Sequence, residues 1–174
     1  MFWLKFIANF IKILREGQTP AQVAGGFALG SILGLSPMLT LQGLLVWFVI
    51  LILDVNLSAA TLSLLIFSLI AFIFDPIFHR IGYFVLVNIE GLKDIFTTWY
   101  NAPIAPLTRF NNTVVMGSFI CALILFPLVY FGMKKFVIAY RATIGKRLEN
   151  TKLYKAINKS WIVQTYQRIR GMVV

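Results

Sequence analysis

The stretch TPAQVAGGFALGSILGLSPMLTLQGLLVWFVILIL, residues 19–53, decides how this chain is read. It contains no charged side chain. Gly26, Gly30 and Gly34 recur every fourth residue, so they line one face of a helix as two overlapping GxxxG steps. Pro37 interrupts the run near its middle. As one straight helix the run would be about 50 Å long, whereas the hydrocarbon core of a bilayer is about 30 Å thick. It is therefore two helices or a broken hairpin, not one ordinary span. Thr19 followed by Pro20 reads as an N-cap with proline at the first helical position. The halves on either side of Pro37, Pro20 to Leu35 and Met38 to Leu53, each fall short of the roughly 20 residues of a perpendicular crossing.

Composition sets the class. The chain has 174 residues, 16 of them Phe, and 59% hydrophobic content. Its mean hydropathy of +0.84 means more apolar surface than a water-soluble core of this size can hide. An all-α, polytopic integral membrane protein is expected, because backbone exposed to lipid must satisfy its hydrogen bonds within its own segment. Cys121 is the single cysteine, which excludes an intramolecular disulfide and a cysteine-based zinc cage. It sits in an apolar run and reads as a packed thiol.

The net charge of +10 is unevenly spread. Lys5, Lys12 and Arg15 outweigh Glu16 at the start, while residues 132–174 carry basic side chains against Glu149 alone. Between them Arg80, Lys93 and Arg109 are slightly outnumbered by Asp54, Asp75, Glu90 and Asp94. By the positive-inside rule both termini are expected in the cytoplasm, which requires an even number of full crossings. The basic tail does not read as a nucleic-acid site, since no recognition module accompanies it.

Residues 1–18 read as an N-terminal amphipathic helix lying in the membrane interface, with Lys5, Asn9, Lys12 and Glu16 at three- and four-residue spacing. Lys12 breaks the apolar region that a secretory signal needs, so the segment is expected to be retained. Residues 19–133 form the expected membrane domain. Within it lie the broken hairpin 19–53, a membrane helix 57–74 that Ser58 can cap, an amphipathic segment 77–100 and a membrane helix 113–131. Asp75-Pro76 is expected to stop the first of these helices, Pro127 to kink the last, and Lys134-Lys135 to end it. Residues 134–174 read as a basic, cytoplasmic amphipathic tail. Its Lys152, Lys155 and Lys159 share one face and suit contacts with anionic lipid headgroups.

Three groups of residues invite a functional reading. Ser36, Pro37, Thr40 and Gln42 surround the break, where free amides at a helix start favour an anionic or lipid-headgroup oxygen. The competing reading is a tight turn whose side chains satisfy only their own backbone. Gly26, Gly30 and Gly34 suit close helix packing. Asp75 with His79 four residues on suits an intramembrane relay, and Asp75 before Pro76 equally suits a helix cap. No Ser-His-Asp, HExxH, Walker or paired-carboxylate pattern is present, so neither enzymatic activity nor a cofactor or metal site is expected.

At GGFALGSILGLSPMLTLQ, residues 25–42, the chain resembles the bacterial membrane family called domain of unknown function 2062. Gly34, Pro37 and Gln42 match that family's turn, with Thr40 where glycine is usual. Asp75-Pro76 stands where Asn-Pro is usual, followed by a similar Ile81-Gly82-Tyr83. The resemblance covers residues 15–100 and is strongest to a short sub-family of outer-membrane-bearing bacteria, encoded beside a larger envelope protein. It implies the bacterial inner membrane and that kind of partner, but no reaction. The leading expectation is a non-enzymatic inner-membrane subunit that anchors or feeds a larger envelope partner in phospholipid or other envelope-lipid transport. Membrane lipids with anionic headgroups, and a second copy of the chain, are further expected partners. A proton-coupled or small-solute transporter, and a purely structural anchor, are the alternatives. Parity of crossings does not choose between a re-entrant hairpin and two full spans over 19–53. The short halves and the polar turn favour the hairpin.

Overall fold

The computed structural model describes residues 18–142. The expected N-terminal amphipathic helix and most of the basic tail, with Lys152, Lys155 and Lys159, lie outside the described residues. The chain divides into two compact units, Met1–Val137 and Ile138–Val174. The architecture below is that of the first.

Five α-helices make up the described chain: α1 (Pro20–Leu35), α2 (Leu41–Ile52), α3 (Leu57–Tyr83), α4 (Lys93–Tyr100) and α5 (Thr113–Tyr140). A π-helical turn, Phe84–Asn88, continues α3, and short 3₁₀ turns stand at Glu90–Leu92 and Ala105–Thr108. The described residues contain no strand.

Local chemistry sets the start of α1. The Thr19 hydroxyl accepts the Gln22 N–H at 3.2 Å, and the Thr19 N–H donates to Gln22 Oε1 at 2.7 Å. This reciprocal capping box satisfies two donors that the first helical turn leaves free. Gln22 also reaches forward: its Nε2 donates to Asp54 Oδ2 at 2.6 Å, and its carbonyl accepts the Asn56 N–H at 3.0 Å. The turn after α2 is thereby tied to the first turn of α1, so α2 runs back antiparallel to α1.

Helix α3 then rises beside α1 in the same direction. A Cβ on Gly26 would meet the backbone of Asn56, one on Gly30 that of Ala60, and one on Gly34 the Leu64 carbonyl and Phe67 Cβ, both at 2.7 Å. The facing residues advance together, which defines a parallel pair in backbone contact. Eleven residues of α1 are buried, whereas α2 buries only Gly43 and Ile50. Helix α1 is therefore the central helix. Its Leu29, Ile32, Leu33 and Leu35 meet Ile50 of α2, Ala60 and Phe78 of α3, and Ala122 of α5 in one core. Phe27 and Phe67 add an edge-to-face pair at 6.1 Å.

Helices α3 and α5 cross at a second pair of glycines. A Cβ on Gly82 would strike the Thr113 carbonyl, and one on Gly117 the Phe78 carbonyl. Here the facing numbers run in opposite senses, so α5 descends antiparallel to α3. Between them, α4 packs on the loop before α5 through Phe96, Trp99 and Phe110. Phe96 and Phe110 stack at 5.9 Å, with Trp99 edge-on to both.

Several expected boundaries are corrected. Asp75-Pro76 does not stop the first long helix, which continues to Tyr83. Proline removes one backbone donor, and beyond it Phe78 and Gly82 are buried against α5, which holds the far half in helix. Segment 77–100 is accordingly not one amphipathic helix: Ile89 is extended and separates the end of the α3 rod from α4. Lys134-Lys135 does not end α5, which runs on to Tyr140. Lysine is a good helix former, and Met133 and Val137 are buried around the pair. Asn56, not Ser58, caps α3, its Oδ1 accepting the Ala59 N–H at 2.7 Å.

Candidate functional site

The turn joining α1 to α2 is built from polar groups on an apolar frame. Ser36 closes α1, its N–H donating to the Ile32 carbonyl at 3.0 Å. Thr40 caps α2, whose first helical residue is Leu41 rather than the expected Met38. The Thr40 hydroxyl donates to the Pro37 carbonyl at 2.9 Å and accepts the Gly43 N–H at 3.3 Å. Thr40 is 2% exposed, so its hydroxyl is fully committed to the turn. Gly43 lies against the Met38 carbonyl, where a Cβ would have no room. That glycine, whose part the sequence does not announce, lets the turn close tightly.

Two side-chain oxygens at this tip have no hydrogen-bond partner among the described residues: Ser36 Oγ and Gln42 Oε1. Ser36 is 6% exposed. The backbone N–H groups of Leu41 and Gln42 make no hydrogen bond with another described residue either, as the first turn of a helix requires. Ser63 of α3, buried and also without a partner, directly precedes the Leu64 that opposes Gly34. Pro37, Met38 and Leu39 form the outer rim, with Leu39 82% exposed. The 3₁₀ turn at Ala105–Thr108 packs on α2. No titratable side chain stands between Ser36 and Gly43, so the tip offers hydrogen bonds rather than acid–base chemistry.

Asp75 and His79 stand one turn apart on α3 and make no hydrogen bond with each other. Asp75 is half-buried in the interior of α3, so it is not a helix cap, and it pairs with no described residue. His79 turns to α5 instead, its Nδ1 lying 2.6 Å from the Thr113 hydroxyl. This bond sits one turn from the Gly82–Gly117 crossing, a contact that sequence reasoning missed because the two glycines are isolated in the chain. Among the described residues, no three metal-ligating side chains cluster.

The described residues are thus all-helical, and two helices among them are long and apolar enough to cross a membrane: Leu57–Asn88, of 32 residues, and Thr113–Tyr140, of 28. The chain belongs to the family described as "Uncharacterized protein conserved in bacteria (DUF2062)", whose model matches residues 5–144. This bears out the resemblance seen in residues 25–42. An "Uncharacterized protein" of Treponema pallidum (strain Nichols) is 23% identical over 151 residues, covering 87% of this chain and 93% of that protein. No solved structure matches the chain.

Proposed function

We propose that the protein is a non-enzymatic subunit of the bacterial inner membrane that anchors or feeds a larger envelope partner in phospholipid transport. In this reading α3 and α5 cross the bilayer, both termini are cytoplasmic, and α1–α2 is a re-entrant hairpin entering from the cytoplasmic face. The observation that carries it is the height of the hairpin tip. Gly34 meets α3 at Leu64, Phe67 and Ser68. Ser68 stands about 17 Å along a helix about 40 Å long, so the turn stops near the middle of a hydrocarbon core of about 30 Å. A hairpin of two full spans would bring its tip to the far end of α3.

The environment supports the same placement. Leu44, Leu45, Phe48, Leu51 and Ile52 make the outer face of α2 an exposed apolar surface. In water such a contiguous face is unfavourable; against acyl chains it has its natural solvent. The unpartnered Ser36 hydroxyl and the free backbone N–H groups of Leu41 and Gln42 then lie at mid-depth, where a lipid ester or phosphate oxygen passing between leaflets finds donors that hydrocarbon does not supply.

Two measurements test the reading. In a protein whose Cys121 is replaced by serine, single cysteines are placed at Asp54, Leu39 and Asn101 and labelled with a membrane-impermeant maleimide. Asp54→Cys labels from the cytoplasm, Asn101→Cys from the opposite side, and Leu39→Cys from neither. Labelling of Leu39→Cys from the outside replaces the hairpin by two spans. For the lipid-transport role, the protein is extracted with its surrounding membrane and analysed by mass spectrometry. Phospholipid and a larger envelope protein are expected together, and the absence of both overturns the role.

A further inference from the structure

Where α3 gives way to the π turn, its outward face carries a groove of about 330 Å³ lined by His79, Arg80, Tyr83, Phe84 and Asn88. The change of winding creates it. At about 100° per residue, a continuous α-helix would leave Asn88 about 80° around the axis from Arg80. The wider π turn over Phe84–Asn88 advances only about 80° per residue, which brings Asn88 to within about 10° of Arg80. Arg80 is exposed and, among the described residues, no carboxylate pairs with it. Asp75 lies about 140° away around the helix, and no acid lines the groove. The His79 ring is held at its side by the bond to Thr113.

Below this polar group the same face is aliphatic. Ile73 and Leu69 lie within about 20° of Arg80 around the axis, at 71% and 73% exposure, and Ile77 stands between them and the groove. From Ile77 to Leu69 the stripe is about 12 Å long, close to one leaflet's share of a hydrocarbon core of about 30 Å. A lone guanidinium, an amide and a phenol above a stripe of acyl-chain length reproduce the order of groups in a phospholipid, with the charge sign reversed at the head.

We propose that this groove binds the phosphate of a single anionic phospholipid, with one acyl chain lying along Ile77, Ile73 and Leu69. Arg80 engages the phosphate, and Asn88 and Tyr83 donate beside it. The site rests on the membrane placement proposed above, which puts this end of α3 at the outer leaflet of the inner membrane, but not on the hairpin tip.

The test uses the full chain with Lys152, Lys155 and Lys159 replaced by glutamine, which removes those tail lysines from the background. Native mass spectrometry from detergent measures phosphatidylglycerol retained per chain. One lipid is expected, and Arg80→Gln lowers its apparent affinity about tenfold, the loss of a charge-assisted hydrogen bond. Asn88→Ala lowers it less, and Arg80→Lys retains part of it. Diacylglycerol, which lacks the phosphate, is not retained, and millimolar inorganic phosphate does not displace the lipid. Retention unchanged in both Arg80→Gln and Asn88→Ala overturns the site. Equal retention of diacylglycerol reduces it to an acyl-chain surface, and displacement by inorganic phosphate makes it a small-anion site; either result also overturns the proposal. Both side chains are exposed, so neither substitution disturbs the fold. Cysteine labelling that gives the proposed topology, together with normal lipid retention by both Arg80→Gln and Asn88→Ala, overturns this site and leaves the membrane placement standing.

Discussion

Replacing Gly30 with alanine tests the contact on which the whole arrangement depends. A Cβ at this position would press on the Ala60 carbonyl and stand 2.8 Å from Ala60 Cα. Carbon atoms in ordinary contact are about 3.5–4.0 Å apart, so α1 and α3 must separate by about 1 Å. The atoms met are backbone, which cannot swing aside as the end of a side chain does. A gap of that width forfeits roughly a quarter to a half of each dispersion contact across it, along a helix with eleven buried residues. Overpacking destabilises by about 1–3 kcal/mol, and the rigid neighbour puts Gly30→Ala at the upper end. The better helix propensity of alanine returns up to about 1 kcal/mol. The net expectation is a loss of about 2 kcal/mol. Gly132 of α5 supplies the control, because a Cβ there meets nothing within 4 Å. Gly132→Ala should gain about 0.5–1 kcal/mol from propensity alone. Reversible unfolding in mixed micelles, followed by circular dichroism, measures both. A Gly30→Ala protein as stable as the parent, or a Gly132→Ala protein destabilised to the same degree, refutes the backbone-contact argument.

Further substitutions probe the polar groups of the fold at Thr40, Gln22 with Asp54, and Asp75. Thr40→Ala removes the cap of α2 and the bond to Pro37, and should lower stability by about 1 kcal/mol; Thr40→Ser, which keeps the hydroxyl, should restore most of it in the same unfolding assay. Gln22→Ala breaks the capping box and the link to Asp54, with an expected loss of about 1–2 kcal/mol, whereas Asp54→Asn keeps an acceptor and should lose less. Asp75→Asn should leave unfolding and phospholipid retention unchanged, because no described group pairs with the carboxylate. Loss of retention with an intact fold would assign Asp75 a part in transport that the geometry does not give it.

How much of this was legible in the chain depends on the range of the interaction concerned. The helical class, the family, the start of α1 and the break at Pro37 follow from features only a few residues wide. An apolar run has a length, Thr19 can reach the Gln22 N–H, and proline cannot continue a helix in both directions. Residues 36–42 were visible as a polar turn for the same reason. The sequence placed the beginning of α2 three residues early, because Thr40 could equally have sat in the first turn or capped it. Only the packed structure shows that its hydroxyl is used up by Pro37 and Gly43.

Everything that depends on a partner far along the chain needed the tertiary structure. A glycine permits close approach but does not name what approaches, so Gly26, Gly30 and Gly34 could not reveal that α3 lies parallel beside them. Gly82 and Gly117 gave no periodic signal at all. Asp75-Pro76 reads as a stop because proline forfeits one hydrogen bond, yet the burial of Phe78 and Gly82 against α5 holds the helix beyond it. The height of the hairpin tip and the groove under Asn88 are set by register and winding. The opening stretch by itself determined that the chain must turn at Pro37. The backbone contact of α1 with α3 decided where that turn stands.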